Sequence, residues 1–418
     1  MPGALSPLRN RSFAVYWTGA FISNIGTWME TVALGYYVAD RTGKGVWVAI
    51  IAAAAFVPTG LIGPIGGALA DRWDRRKILI YGNVVEAILA ALLASLVASH
   101  HLVPAAAAVI VFGAGCASAL AFPAFSSMVP DLVPPEDLVR AISLNSAQWN
   151  LGRIVGPTMA GIVISAWGSA WAFWINAISF GAVLIALSMI RVPPRVTTST
   201  GPVLAAVRQG LRFTQAEPGL RAVTRLMALG TFFAAPFIAL LPDMGKKVLR
   251  GNAHTVSWLV TAQGVGAVIA ALNMGRLAAR YGSRRVLQRS LALLPVALML
   301  YAVAPNLPLV CLALVPLGGL YLASLNCYSS IAQTRAPAHF RGRVLAINIF
   351  ILGVFYPVSS LIQGALADVI GLRWATASYA IALAAALVAI RMVKPNFLGP
   401  IDQPVDATDL RLADAFSA

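Results

Sequence analysis

The chain has 418 residues, 59% of them hydrophobic and only 11% charged, with a formal net charge of +16. A water-soluble domain carries about 25% charged residues, so this composition excludes an ordinary soluble surface and reads as a polytopic membrane protein. The positive excess does not point to nucleic acid, because Lys and Arg gather in short turns between apolar runs and form no single basic face.

A helix crosses a bilayer with about 20 apolar residues. Twelve runs reach that length, at 13–38, 46–70, 78–98, 104–129, 139–166, 171–190, 220–244, 255–278, 286–304, 308–333, 343–367 and 373–393. The first is too long for a signal peptide and is expected to stay as a spanning helix. The second runs through Gly66 and Gly67 into the turn Asp71-Arg72-Trp73-Asp74-Arg75-Arg76-Lys77. A weaker copy recurs half a chain later, from Gly275 to Arg284 and Arg285, with Ala279 in the place of Asp71. The expected fold is therefore all-α, with twelve transmembrane helices in two pseudo-symmetric six-helix bundles. The N-terminal bundle covers 1–190 and the C-terminal bundle 220–394, with a tail at 395–418.

Between the bundles, 191–219 is polar. Val203, Val207 and Leu211 recur every four residues beside Arg208 and Arg212, which fits a short amphipathic helix on the inner membrane face. The tail carries Asp402, Asp406, Asp409 and Asp414 and reads as solvated chain. With twelve helices, Arg41, Lys44, Lys246, Lys247, Arg250 and Arg373 fall on one side. All other Lys and Arg except Arg153 fall on the opposite side. The positive-inside rule then puts both termini in the cytoplasm; the resemblance given below implies a bacterial inner membrane.

Cys116, Cys311 and Cys327 sit inside apolar runs and form no CxxC pair, so they read as packing residues; no metal or cofactor is implied. The sequence has no G-x-x-x-x-G-K-[ST] phosphate loop, no HExxH and no GxSxG, so neither direct ATP use nor an enzyme is expected. The charges inside spanning runs are costly, and such charges are usually functional. The clearest are Glu30, Glu86 and Arg153. At about 1.5 Å per residue, Glu30 lies about 25 Å along the first run and Arg153 about 21 Å along the fifth.

The basic turn, with Gly67, Asp71, Arg72, Arg76 and Lys77, resembles the gating motif of the major facilitator superfamily. It departs from that motif at Asp74, where the family usually has glycine. Gly152, Gly156, Pro157 and Gly161 resemble that family's exporter motif. Pro130-Asp131-Leu132-Val133-Pro134, Leu144-Asn145-Ser146 and Arg341-Gly342-Arg343 resemble the branch of bacterial drug and siderophore exporters, enterobactin and macrolide exporters among them. The resemblance covers nearly the whole chain. It implies a monomeric secondary transporter that exports small amphipathic or hydrophobic molecules by rocking its bundles, with lipid around it. Protons would be the coupling partner, and efflux and multidrug resistance the physiological setting. A nutrient importer of the same fold is the alternative; a membrane receptor or enzyme is the third.

In that family Asp71 would meet the start of the eleventh helix, near Arg341 and Arg343, as a latch. The other reading keeps the basic turn as a topology signal held against anionic lipid. Gly152 and Gly156 share one helix face, for close packing or to discourage a leak. Glu30 beside Arg153 would exchange a proton for substrate, with Glu86 as a second candidate. The alternatives are a fixed ion pair or a solvated Glu30. Asn24, Trp28, Asn145, Gln148, Trp149, Phe237, Gln263, Asn326, Asn348 and Tyr356 fall on helices that line the family's cavity. Each of the amides alone also fits plain interhelical hydrogen bonding.

Overall fold

The computed structural model describes residues 5–190, 203–337 and 341–401. Within them the side chains of Pro64, Gly67, Ala68, Ala70, Asp71, Arg72, Val139 and residues 203–207 lie outside the described set. Regular structure among the described residues is helical throughout. In chain order come α1 (Arg11–Thr42), α2 (Gly45–Arg72), α3 (Arg75–Ala98), α4 (Pro104–Met128), α5 (Leu138–Trp167), α6 (Ser169–Met189) and α7 (Val203–Ala216). Then follow α8 (Pro218–Ala234), α9 (Pro236–Ala239), α10 (Leu241–Asp243), α11 (Ala253–Tyr281), α12 (Ser283–Val303), α13 (Leu307–Arg335), α14 (Arg341–Ile370) and α15 (Leu372–Val393).

Among the described residues, ten helical stretches are long and apolar enough to cross a membrane. The long helices α1 and α5, with 32 and 30 residues, are not among them. They carry the polar residues at issue here, among them Asn24, Glu30, Asn145, Gln148 and Arg153, which dilute their hydropathy. Apolar side chains also cover the outside: Val369 is 82% exposed, Leu272 76%, Val109 72% and Ile178 72%. Residues like these suit a surface facing hydrocarbon and would be a liability in water.

Helix ends are fixed by local chemistry. Asn10 caps α1 by accepting from the backbone N–H groups of Ser12 and Phe13, and Gly43 ends it at a positive φ of 57°. The turn between α2 and α3 is only Trp73-Asp74, and the Asp74 carboxylate accepts from the N–H groups of Arg76 and Lys77. The residue that departs from the family glycine thus caps α3.

The chain forms two compact units. One comprises Met1–Thr200 with Leu241–Thr261, the other Gly201–Leu240 with Ala262–Ala418. In the first, α1 packs against α5 and α6, α3 against α4 and α6, and α2 against α4. In the second, α12 packs against α13 and α15, and α14 against α7, α8 and α15.

The continuous run expected at 220–244 is broken into α8, α9, α10 and a π-helical turn, Met244–Val248. Pro236 has no N–H to offer the carbonyl four residues back, that of Phe232. The Ser359 hydroxyl of α14 donates to that carbonyl, and the Tyr379 hydroxyl of α15 donates to the Ser359 carbonyl at 3.2 Å. A neighbouring helix thus supplies the hydrogen bond that the proline removed.

The linker helix α7 buries Phe213 and Thr214, and Phe213 clusters with Leu220, Ala332, Ala336 and Val344. Leu211, expected on the apolar stripe, is 44% exposed; the side chains of Val203 and Val207 lie outside the described set. Glu217 accepts from the Leu220 N–H at the start of α8 and from Arg335, with the Arg335 Nε at 3.0 Å. Both side chains are buried, at 1% and 7% exposure. Arg335 also donates to the Ile401 carbonyl at 2.9 Å, so the tail begins as a held turn, Gly399–Ile401; 402–418 lie outside the described residues.

Candidate functional site

The first unit concentrates its polar residues where α1 meets α5. Asn24 donates through Nδ2 to the Gln148 carbonyl at 3.1 Å, and Gln148 donates through Nε2 to the Asn145 Oδ1 at 3.0 Å. The Arg153 guanidinium lies over the Trp28 ring, 5.4 Å from its centroid. This closeness is possible because α5 carries glycine where α1 bulges. A Cβ on Gly152 would stand 2.6 Å from the Asn24 Nδ2, and one on Gly156 would stand 2.5 Å from the Trp28 Cβ. Both are closer than real Cβ atoms come, so the exporter-motif glycines are slots for Asn24 and Trp28. Pro157 is buried beside them, and Gly161 backs onto Ser257 and His254.

Along this seam Asn24 Oδ1, Trp28 Nε1 and Gln148 Oε1 have no hydrogen-bond partner among the described residues. Asn24 and Gln148 are only 6% and 1% exposed. Buried polar atoms are normally satisfied, so these three mark the α1–α5 seam as the candidate site. Trp149 is 39% exposed and meets Phe122 edge-on at 6.3 Å.

Arg153 is in contact with Trp28, and Glu30 with Asn176. Trp28 and Glu30 are two residues apart on a helix and do not share a face. Trp28 therefore points at α5, whereas Glu30 points at α6, where its Oε2 accepts from the Asn176 Nδ2 at 2.6 Å. Glu86 lies on α3, and both carboxylates are partly buried.

The basic turn does several local jobs. Arg76 donates to the Leu187 and Ser188 carbonyls at 2.7 and 3.3 Å, closing the end of α6, where a cation is favoured. Lys77 is exposed. Arg75, which the motif reading passed over, is paired with Asp131 at 3.1 Å and donates to the Ser127 carbonyl at 3.0 Å. Nearby, Asp137 accepts from Ser6 at 2.6 Å and Arg140 at 2.9 Å, and these bonds hold its carboxyl below the usual carboxylate range. The side chains of Asp71 and Arg72 and the surroundings of Gly67 lie outside the described residues. In the second unit Arg341 donates to the Ala336 carbonyl at 3.3 Å, and Arg343 packs against Gly210 of α7.

The second unit's candidates are dispersed. Phe237 is 2% exposed and sits edge-on to Tyr301 and Tyr321 at 6.0 and 6.2 Å. Gln263 is buried against Gly318, Asn348 and Tyr356 are buried at 7% and 5% exposure, and Asn326 is partly buried.

A helical chain with polarity concentrated on α1 and α5 is matched along residues 2–404 by the family model described as transmembrane secretion effector. The chain belongs to that family, a branch of the major facilitator superfamily. This major facilitator transporter is 28% identical to the multidrug efflux pump Tap of Mycolicibacterium fortuitum, over 85% of this chain and 88% of the pump. It is 24% identical to macrolide efflux protein A of Streptococcus pyogenes (86% and 90% covered). It is 25% identical to the staphyloferrin A transporter of Staphylococcus aureus (85% and 90% covered). Among solved structures, the nucleoside transporter NupG superposes with a TM-score of 0.75 at 13% identity, covering 91% of this chain and 99% of that one. A bacterial homologue of the lysosomal transporter Spinster gives 0.71 at 14% identity, covering 95% and 99%. The protein is a multi-pass membrane transporter, not an enzyme.

Sequence reasoning missed Asn176 and Ser179, which neighbour Glu30 on α6. The signal available was a polar pair three residues apart in an otherwise apolar helix.

Proposed function

We propose that this major facilitator transporter exports small amphipathic or hydrophobic compounds, drug-like or siderophore-like, in exchange for protons. It works as a monomer of twelve spanning helices, with α1 and α5 added to the ten apolar ones, by alternating access of its two halves. Both termini face the cytoplasm of a bacterium, and Asp71 is the proposed gate residue. The observation that carries the reading is a part-buried carboxylate, Glu30, hydrogen-bonded to Asn176 of α6, in a chain whose relatives include drug and macrolide efflux pumps. An enclosed carboxylate is costly while charged and is poised to take up a proton. The unpartnered atoms of Asn24, Trp28 and Gln148 support a binding surface for molecules carrying a few polar groups.

The test is drug movement in proteoliposomes loaded acidic inside, with a panel of macrolides, other drugs and siderophores. Inside-out molecules are expected to fill the lumen with drug as protons leave. In Glu30→Gln the protein folds but that gradient-driven component disappears. Undiminished drug-induced proton flux in Glu30→Gln refutes the coupling role, and movement only in the opposite sense refutes export.

A further inference from the structure

Among the described residues Glu30 has one side-chain hydrogen-bond partner, Asn176, and that partner is itself held. Asn176 and Ser179 lie on α6 at 2% and 6% exposure. The Asn176 Nδ2 donates to Glu30 at 2.6 Å. The Ser179 hydroxyl lies 2.7 Å from the Asn176 carbonyl and 3.2 Å from its Oδ1. With the hydroxyl on the Oδ1 side, the amide presents its N–H, not its oxygen, to the carboxylate. The opposite rotamer would set an oxygen against an oxygen.

Room for this arrangement comes from α1. A Cβ on Gly26 would stand 2.5 Å from the Asn176 Oδ1 and would also strike the Ser179 hydroxyl. Glycine at 26 is therefore the slot that admits the amide, one turn of α1 before Glu30. Charged groups also lie on neighbouring helices: Glu86 on α3, and Arg153 on α5, over Trp28. Asp40 with Lys246, and Asp243 with Lys247, pair beyond Gly35, towards the end of α1.

We infer that Asn176 is the positioning residue for the proton-carrying carboxylate, oriented by Ser179 and admitted by Gly26. Its N–H stabilises Glu30 when the proton has left, because a hydrogen bond to an ionised acceptor is about twice as strong as a neutral one. The inference deepens the coupling reading above and rests on it.

Carbodiimide labelling of the purified full-length protein in nanodiscs tests it, because the reagent modifies protonated carboxyl groups. Labelling of Glu30 is read by peptide mass spectrometry across pH. In Asn176→Leu, labelling is expected to persist about one pH unit further into the alkaline range than in the wild type. Ser179→Ala, a milder change that keeps the fold, is expected to move the midpoint the same way by less. Unchanged midpoints in both variants overturn the inference, as does an unchanged midpoint in Ser179→Ala alone where Asn176→Leu does not fold. Labelling requires no transport. A Glu30→Gln protein with intact proton flux would therefore sink the coupling reading, while the midpoints still decide whether Asn176 governs Glu30.

Discussion

The two units bury their polar groups in different ways. The first holds charge along its helices: Glu30 against α6, Glu86 on α3, and Arg153 on the Trp28 ring. The second keeps amides and hydroxyls in its interior, among them Gln263, Asn348, Ser359, Ser360, Gln363 and Thr376. Its buried ion pair, Glu217 with Arg335, sits where α8 begins and α13 ends. Pairing at helix termini lets backbone dipoles and capping bonds share the charge. Carboxylates held between helices have only side chains to answer them, so they are where a change of protonation has the largest effect.

The sharpest way to break this comparison is to neutralise polar groups in each unit. Glu30→Gln is expected to remove gradient-driven transport, as set out above. Gln263→Ala and Asn348→Ala are expected to alter drug affinity while leaving the pH dependence in place. A pH profile altered as much by Gln263→Ala as by Glu30→Gln would dissolve the distinction.

The ion pair gives the next largest effect, on stability. Arg335→Met strands a buried carboxylate, which costs about 3–5 kcal/mol. Thermal melting in detergent should show a large drop, together with release of the segment at Ile401. Replacing Glu217 and Arg335 together by Leu should be milder, since no charge is left alone.

Packing comes third. Gly156→Ala forces a Cβ to 2.5 Å from that of Trp28, and overpacking of this kind costs about 1–3 kcal/mol. Gly181→Ala on α6 meets nothing within 4 Å and should be neutral or slightly stabilising. Equal melting temperatures for the two would show that the α1–α5 seam yields easily.

The smallest effect belongs to Asp137, a solvated group. Its carboxyl is held low by Ser6 and Arg140, so its contribution is present above the ordinary carboxylate value, about 3.9, and is lost as pH falls through the lowered one. Asp137→Asn should melt slightly below the wild type at pH 6. The difference should close on acidification below pH 4.

The sequence made some of this legible. Apolar run lengths locate the helices to within a few residues, because a membrane span is set by thickness alone. The basic turn marks the α2–α3 junction, and the spacing of Gly152 and Gly156 reveals a packing face. What each face packs against was hidden. A residue's place along a helix does not fix rotation about the helix axis, and a two-residue step sends Trp28 and Glu30 to different neighbours. Asn176 is 146 positions from Glu30 in sequence, so no local pattern joins them. The break at Pro236 was likewise visible as a proline, but the hydroxyl that answers it comes from Ser359, more than a hundred residues on.

That hydroxyl ties three helices into one mechanical part. The Phe232 carbonyl, Ser359 and Tyr379 are threaded on a single chain of bonds, so α8 cannot swing at its proline without tugging α14 and α15. A spectroscopic label on any one of the three helices is expected to sense a change in this chain of bonds at the other two.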